Sequence, residues 1–252
     1  MEKNITKVAL DTHKKQHTAA LLNYETGEIE VFTVQNTLKD LKKMVTRIKK
    51  RFSGTIHFVY EAGVCGFVLK RRLEALGCKC DVIAPSLMPT KPGDRIKTDR
   101  RDGKSILGQF CAGQLTVVYP PDAEQEAARE ITRCRQAAQE NLKRIRHQLL
   151  KLLNRYGYLY LDGKHWTKKH LVWLKALEFD QSDVQLVFES YFTELQHCLS
   201  RLEGLDREVG ALADRPQYRE VVGLLRCFRG IDTLTAITTL TEIIEFGRFD
   251  SP

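Results

Sequence analysis

No stretch of the 252 residues approaches the roughly 18 consecutive apolar residues that a membrane-crossing helix needs. The opening M-E-K-N-I-T-K-V-A-L-D lacks the apolar core and cleavage site of a secretory signal. No C-x-x-C occurs, and the seven cysteines (Cys65, Cys78, Cys80, Cys111, Cys134, Cys198 and Cys227) are odd in number and scattered. That pattern argues against a disulfide framework and against zinc, and fits a reducing cytoplasm. The seven histidines do not restore zinc, because His13 and His17 bracket the turn after a strand and share no helix face. A cytoplasmic protein without a membrane partner is the expectation. What is present is ordinary for a globular chain: 42% hydrophobic and 29% charged residues exclude a disordered or fibrous protein. The length gives room for one or two domains with a real core. Lys and Arg number 40 against 32 Asp and Glu, a net charge of +8 that points, modestly, to a polyanionic partner.

Residues 5–10, 17–23 and 28–34 alternate as strands do, and Y-E-T-G-E marks a hairpin turn between the last two. Over 37–52, Leu38, Leu41, Val45 and Ile48 recur at helical spacing behind a capping Thr37. A buried strand follows at 56–60, a helix over 65–76 stops at Gly77, and another strand covers 79–84. After a loop rich in Pro and Gly, a helix runs from about 98 to 113. The order β-β-β-α-β-α-β predicts an α/β fold, a mixed sheet flanked by helices.

Composition shifts after Pro120-Pro121. Ile131, Cys134, Ala138, Leu142, Ile145, Leu149 and Leu152 form a near-heptad seam, and Tyr191, Leu195, Cys198, Leu202, Leu205, Val209 and Leu212 form a second. The two helices predict a helical hairpin or coiled coil, packing either on each other or on another chain. Homo-oligomerisation through this region is expected. Pro216 opens a further helix, and Gly230 with the next helix start looks like half of a helix-hairpin-helix, whose N–H groups can hold a phosphate. The boundaries expected are therefore 1–115, 120–213 and 216–252.

Four acids stand out. Asp11 closes the first strand, Glu61 closes the fourth, and Asp99 and Asp102 lie three apart near a helix start, on one face. Taken singly, each reads as a surface acid beside Lys or Arg. Together, at two strand ends and one helix face, they can converge on one sheet edge. Hard cations take such oxygen ligands, and two ions about 4 Å apart can stabilise both oxygens of a phosphoryl transfer. The loop and helix start around the pair carry Lys91, Arg95, Lys97, Arg100, Arg101 and Lys104, which can grip scissile-strand phosphates or simply balance Asp94, Asp99 and Asp102. Residues 129–155 hold eight Lys/Arg against two Glu, Arg144 and Arg146 among them, and Tyr156, Tyr158 and Tyr160 follow. This is either a nucleic-acid surface with tyrosines for base stacking or a solvated helix beside ordinary packing.

The words L-D-T-H-K-K around Asp11, Y-E-A-G-x-C-G around Glu61 and A-P-S-L-x-P-x-K-P-G-D-R-x-K-T-D-R-R-D from 84 to 102 carry a resemblance. In them, and on to G-I-D-T-L-T-A at 230–236, the chain resembles the DEDD transposases of the insertion sequence 110 family, which are bridge-RNA-guided recombinases. The resemblance implies a RuvC-like version of the RNase H fold at the amino terminus. Its DEDD acids fall on Asp11, Glu61, Asp99 and Asp102, as catalytic ligands of Mg2+ or Mn2+. It implies DNA and a structured guide RNA as partners, and DNA transposition by strand cleavage and transfer. It also implies a carboxy-terminal domain with a nucleophilic serine in an S-G motif. The matched words place that serine beyond Pro252 and put Ser251 in a connector upstream of it, so a truncated member is expected. Two other functions stay open: a non-catalytic nucleic-acid-binding or oligomerising fragment, and a stand-alone metal-dependent nuclease.

Overall fold

The computed structural model describes residues 5–63, 65–88 and 99–249, with only the backbone described for 99–101. The chain divides into two compact units between Pro120 and Pro121.

The first unit is built on five strands: β1 (Ile5–Thr12), β2 (Gln16–Leu22), β3 (Ile29–Gln35), β4 (Thr55–Glu61) and β5 (Lys79–Ile83). Their order is β3-β2-β1-β4-β5. The first three form an antiparallel meander, and β4 and β5 run parallel to β1. Central β1 is covered on both faces, so Val8, Ala9 and Leu10 are all fully buried. Helix α1 (Leu38–Arg51) starts where the Thr37 hydroxyl accepts the Asp40 N–H, and it buries Leu41, Met44, Val45 and Ile48. Helix α2 (Val68–Ala75) ends at Gly77, whose φ of +73° is the left-handed turn that glycine makes without strain. Both helices pack on the face presenting Val8, Leu10, Leu21, Phe58 and Tyr60. Helix α3 (Asp99–Ala112) covers the other face, with Ile106 and Leu107 against Ala9, Ala20, Val59 and Ile83. This is the expected mixed sheet with flanking helices, an architecture of the RuvC-like α/β class, followed by a helical region.

The second unit is helical. Helix α4 (Ala123–Arg155) opens with a reciprocal Asp122–Gln125 capping box. Then come α5 (Lys168–Lys175), α6 (Ser182–Ala213), α7 (Pro216–Leu225) and α8 (Thr233–Ile243). Leu142, Ile145 and Leu149 of α4 cluster with Phe188, Leu195 and Cys198 of α6, while Ala128 clusters with Val209 and Leu212. The two seams therefore run antiparallel and meet each other within the chain. Arg135 and Asp206 tie them across 2.8 Å. Helices α7 and α8 pack on this hairpin through Tyr218, Val222, Ala236 and Ile237, in the same compact unit. The start of α8 is capped by an acid, which disfavours a phosphate there. The Asp232 carboxylate already accepts the Thr235 N–H at 2.7 Å, and an incoming anion would meet that carboxylate.

Between α4 and α5 the chain folds around His170. Its ring is fully buried, packed with Tyr160, Trp166 and Trp173, and its Nδ1 accepts the Trp166 N–H at 3.1 Å. That bond holds Trp166 at φ +67°, which a bulky residue rarely adopts. Burial pushes the His170 pKa down to about 4 from 6.5. The unfolded chain takes up a proton near pH 6.5 that the folded chain refuses, so this stability is complete above pH 6.5 and is lost as pH falls towards 4. The loss is on the order of 2–3 kcal/mol. Both tryptophans, Trp166 and Trp173, lie in this unit, so tryptophan fluorescence reports its unfolding alone. Urea midpoints followed this way are expected to fall between pH 7 and pH 5, before most carboxylates titrate. A flat profile would refute the assignment.

Candidate functional site

Strand register brings two of the acids together. In the parallel β1–β4 pair Leu10 faces Tyr60, so Asp11 and Glu61 are the next neighbours, at the carboxy-terminal ends of adjacent strands. Side chains alternate along a strand, so both acids share the face of Ala9 and Val59, the one that α3 covers.

The run of α3 brings the third acid. Lys7, near the start of β1, donates from Nζ to the Phe110 carbonyl at 3.2 Å and lies 4.9 Å from the centre of that ring. This fixes the carboxy-terminal end of α3 over the amino-terminal end of β1. From Lys7 to Asp11 the strand rises about 13 Å. From Phe110 back to Asp102 the helix rises about 12 Å. Asp102 thus arrives at the height of Asp11. Gly103 agrees: a Cβ there would stand 3.6 Å from the Ala20 Cβ and 3.7 Å from the Thr18 carbonyl, and Thr18 is the β2 partner of Asp11. Asp99 belongs to the first turn of α3, and its side chain lies outside the described residues. Among the described residues, no group of three or more His, Cys, Asp or Glu side chains could hold a metal ion.

His13 joins this end of the sheet, with Nε2 3.3 Å from Asp11 Oδ2. In the sequence His13 enters only as a candidate zinc ligand, which its spacing from His17 disfavours. The signal that could have found it is the i, i+2 spacing in L-D-T-H, which keeps both side chains on one side of extended chain. The acids at this end of the sheet offer carboxylate oxygens, a donor type that suits Mg2+ or Mn2+ better than a softer ion.

The bases divide unevenly. Lys91, Arg95 and Lys97 lie outside the described residues, as do the side chains of Arg100 and Arg101; Lys104 is exposed on α3. On α4, Arg144 is exposed and donates to Asn141 at 3.1 Å. Arg146 is half-buried with its guanidinium 5.0 Å from the Trp166 ring centre, so it is largely a packing residue. Arg129 donates to the Thr241 and Glu242 carbonyls, Arg133 grips the Glu242 carboxylate at 2.7 and 2.8 Å, and Arg135 holds Asp206. Lys143, Arg144, Lys151 and Arg155 remain as the outward bases of that stretch. Tyr158 and Tyr160 are committed to packing, Tyr158 on Phe179 and Tyr160 on His170 and Trp173, while Tyr156 is half-exposed. The surface left for nucleic acid on α4 is smaller than its composition suggests.

The sequence profile of the DEDD transposases of the insertion sequence 110 family, described as transposase, matches residues 8–158. The transposase for insertion sequence element IS1533 of Leptospira borgpetersenii is 34% identical over 251 residues, covering 96% of this chain and 72% of its own length. The Sinorhizobium fredii protein y4qE, named as a transposase, is 33% identical over 247 residues, covering 97% of this chain and 60% of its own length. The chain thus spans less than two thirds of one of these curated relatives and under three quarters of the other.

Proposed function

We propose, for a chain that belongs to the DEDD transposases of the insertion sequence 110 family, that the first unit is a metal-dependent DNA-cutting domain. The observation that carries this reading is the shared height and face of Asp11, Glu61 and Asp102. Asp11, Glu61, Asp99 and Asp102 would hold Mg2+ or Mn2+. A bound divalent ion supplies charge neutralisation at the attacking and leaving oxygens of a phosphodiester. The chain's own contribution is placement. Strand register supports neighbouring positions for Asp11 and Glu61, the Lys7 anchor supports Asp102 at the same height, and His13 would orient the Asp11 carboxylate. Lys104, with the bases of 91–101, would steady the phosphate of the strand being cut. The nucleophile is then either the serine of the carboxy-terminal motif that the resemblance implies or, for these 252 residues alone, water. A structured guide RNA and a second copy of the chain are the further partners this reading carries.

A second reading has support in the outward bases of α4: the chain holds nucleic acid without cutting it. Incubation with labelled supercoiled DNA, with and without Mg2+, separates the two. Metal-dependent nicks that vanish with Glu61→Gln are expected, while binding persists. Binding by the wild type without any metal-dependent cleavage would leave the second reading. Label that stays on the protein after denaturation would place a nucleophile within the chain itself.

A further inference from the structure

The strongest charge of the chain lies where neither reading uses it. Helix α1 (Leu38–Arg51) carries seven bases, Lys39, Lys42, Lys43, Arg47, Lys49, Lys50 and Arg51, against the single acid Asp40. That net +6 nearly accounts for the +8 of the whole chain. It is also ordered. Lys39, Lys42, Lys43, Thr46, Arg47 and Lys50 follow one another at spacings of three, one, three, one and three, which is one continuous helix face. The opposite face, Leu41, Met44, Val45 and Ile48, is buried on the sheet. The stripe therefore points away from the core, and it lines a shallow groove of about 680 Å³. It also lies on the α1 side of the sheet, opposite the face of Asp11 and Glu61.

Part of the charge is neutralised. Arg51 grips Glu30 at 2.7 and 2.8 Å, with Arg47 3.8 Å away, Lys43 sits 3.5 Å from Asp40, and Lys49 donates to the Leu76 carbonyl. Lys39, Lys42 and Lys50 are exposed and have no ion-pair partner among the described residues. From Lys39 to Lys50 the helix rises about 16 Å. That matches about five base-pair steps of 3.4 Å. Among the described residues, the rings beside the stripe are already covered, Phe32 by Arg47 and Phe52 by Arg51, which leaves none free there for base stacking. Exposed lysines grip phosphate oxygens as point charges, and such contacts fix position without reading sequence.

We propose that the α1 stripe is a second DNA-contact surface, which holds the backbone of double-stranded DNA on the side of the sheet away from the acids. This rests on the DNA-handling function proposed above. The test is binding of the full chain to a labelled DNA duplex of arbitrary sequence, between 50 and 200 mM salt, for wild type and for Lys39→Ala/Lys42→Ala/Lys50→Ala. Loss of three phosphate contacts should flatten the log–log salt slope by about 2.7, so the wild type loses about 40-fold more affinity than the variant across that range. Lysine and alanine are both good helix formers, so circular dichroism should be unchanged. A charge-matched control, Lys168→Ala/Lys169→Ala/Lys175→Ala, should keep the wild-type slope. An unchanged slope in the α1 variant overturns the proposal, and so does an equal fall in the control. A fall seen with a hairpin RNA but not with duplex DNA also overturns it, in favour of RNA. If the wild type binds no duplex at 50 mM salt, the DNA-handling function itself fails. A wild type that binds while the variant keeps its slope removes this surface only.

Discussion

With asparagine in place of Asp11, the chain is expected to lose at least ~100-fold in affinity for Mg2+ or Mn2+ and to keep its fold. Even groups that merely orient a metal ligand change affinity by about 10- to 100-fold when lost, and Asp11 is proposed as a ligand itself. Its position argues for a large effect. It stands on the central strand, beside Glu61 in register and beside Thr18 on β2, and its side chain is 17% exposed. Asparagine has the same shape and no charge, so the strand is undisturbed and the neutralisation is gone. His13 loses its 3.3 Å contact with the Asp11 carboxylate, at little cost because it is half-exposed. Asp102→Ala is expected to be milder, about tenfold, because Asp102 sits on a helix turn that Asp99 shares. Calorimetric titration gives the order directly. Equal binding by wild type and Asp11→Asn would remove Asp11 from the site and the metal assignment with it.

Much of the first unit was legible because its signals are local. Period-two alternation gives β1 to β3, a short apolar run gives β4, Thr37 gives the start of α1, and Gly77 gives the stop of α2. The placement of Asp11 and Glu61 was legible as well, since each ends a strand. The height of Asp102 was not. It depends on Lys7 meeting Phe110, a contact spanning 103 positions that no periodicity encodes. The same limit governs α4. Its bases read alike in sequence, yet Arg129 and Arg133 answer to residues more than 100 positions away, and Arg146 to Trp166. Composition cannot separate a solvated arginine from one that holds two helices together. On α1 the spacing of the bases is fully visible in sequence. What it needs from the structure is the confinement of Leu41, Met44, Val45 and Ile48 to the opposite face.

Truncating Leu107 to alanine is expected to cost about 3 kcal/mol and to weaken metal binding, although Leu107 is not among the proposed ligands. Leu107 is 1% exposed and packs with Ile106 on Ala9, Ala20, Val59 and Ile83. Two of those partners are already alanines on rigid central strands, so the sheet has little side chain with which to refill the cavity. The helix instead has freedom to shift, and Asp102 lies little more than one turn away on the same helix. Gly103→Ala should act in the opposite sense. Its added Cβ meets Ala20 and Thr18 at ordinary contact distances, and alanine is favoured over glycine in a helix by up to ~1 kcal/mol. A stabilised α3 that holds metal at least as well as the wild type is the expected result. Far-UV circular dichroism in urea gives the stability of both variants, and calorimetry well below the unfolding midpoint gives their metal affinity. If Leu107→Ala lowers stability but binds metal like the wild type, α3 does not position the site. The shared height of Asp102 and Asp11 would then carry no functional meaning.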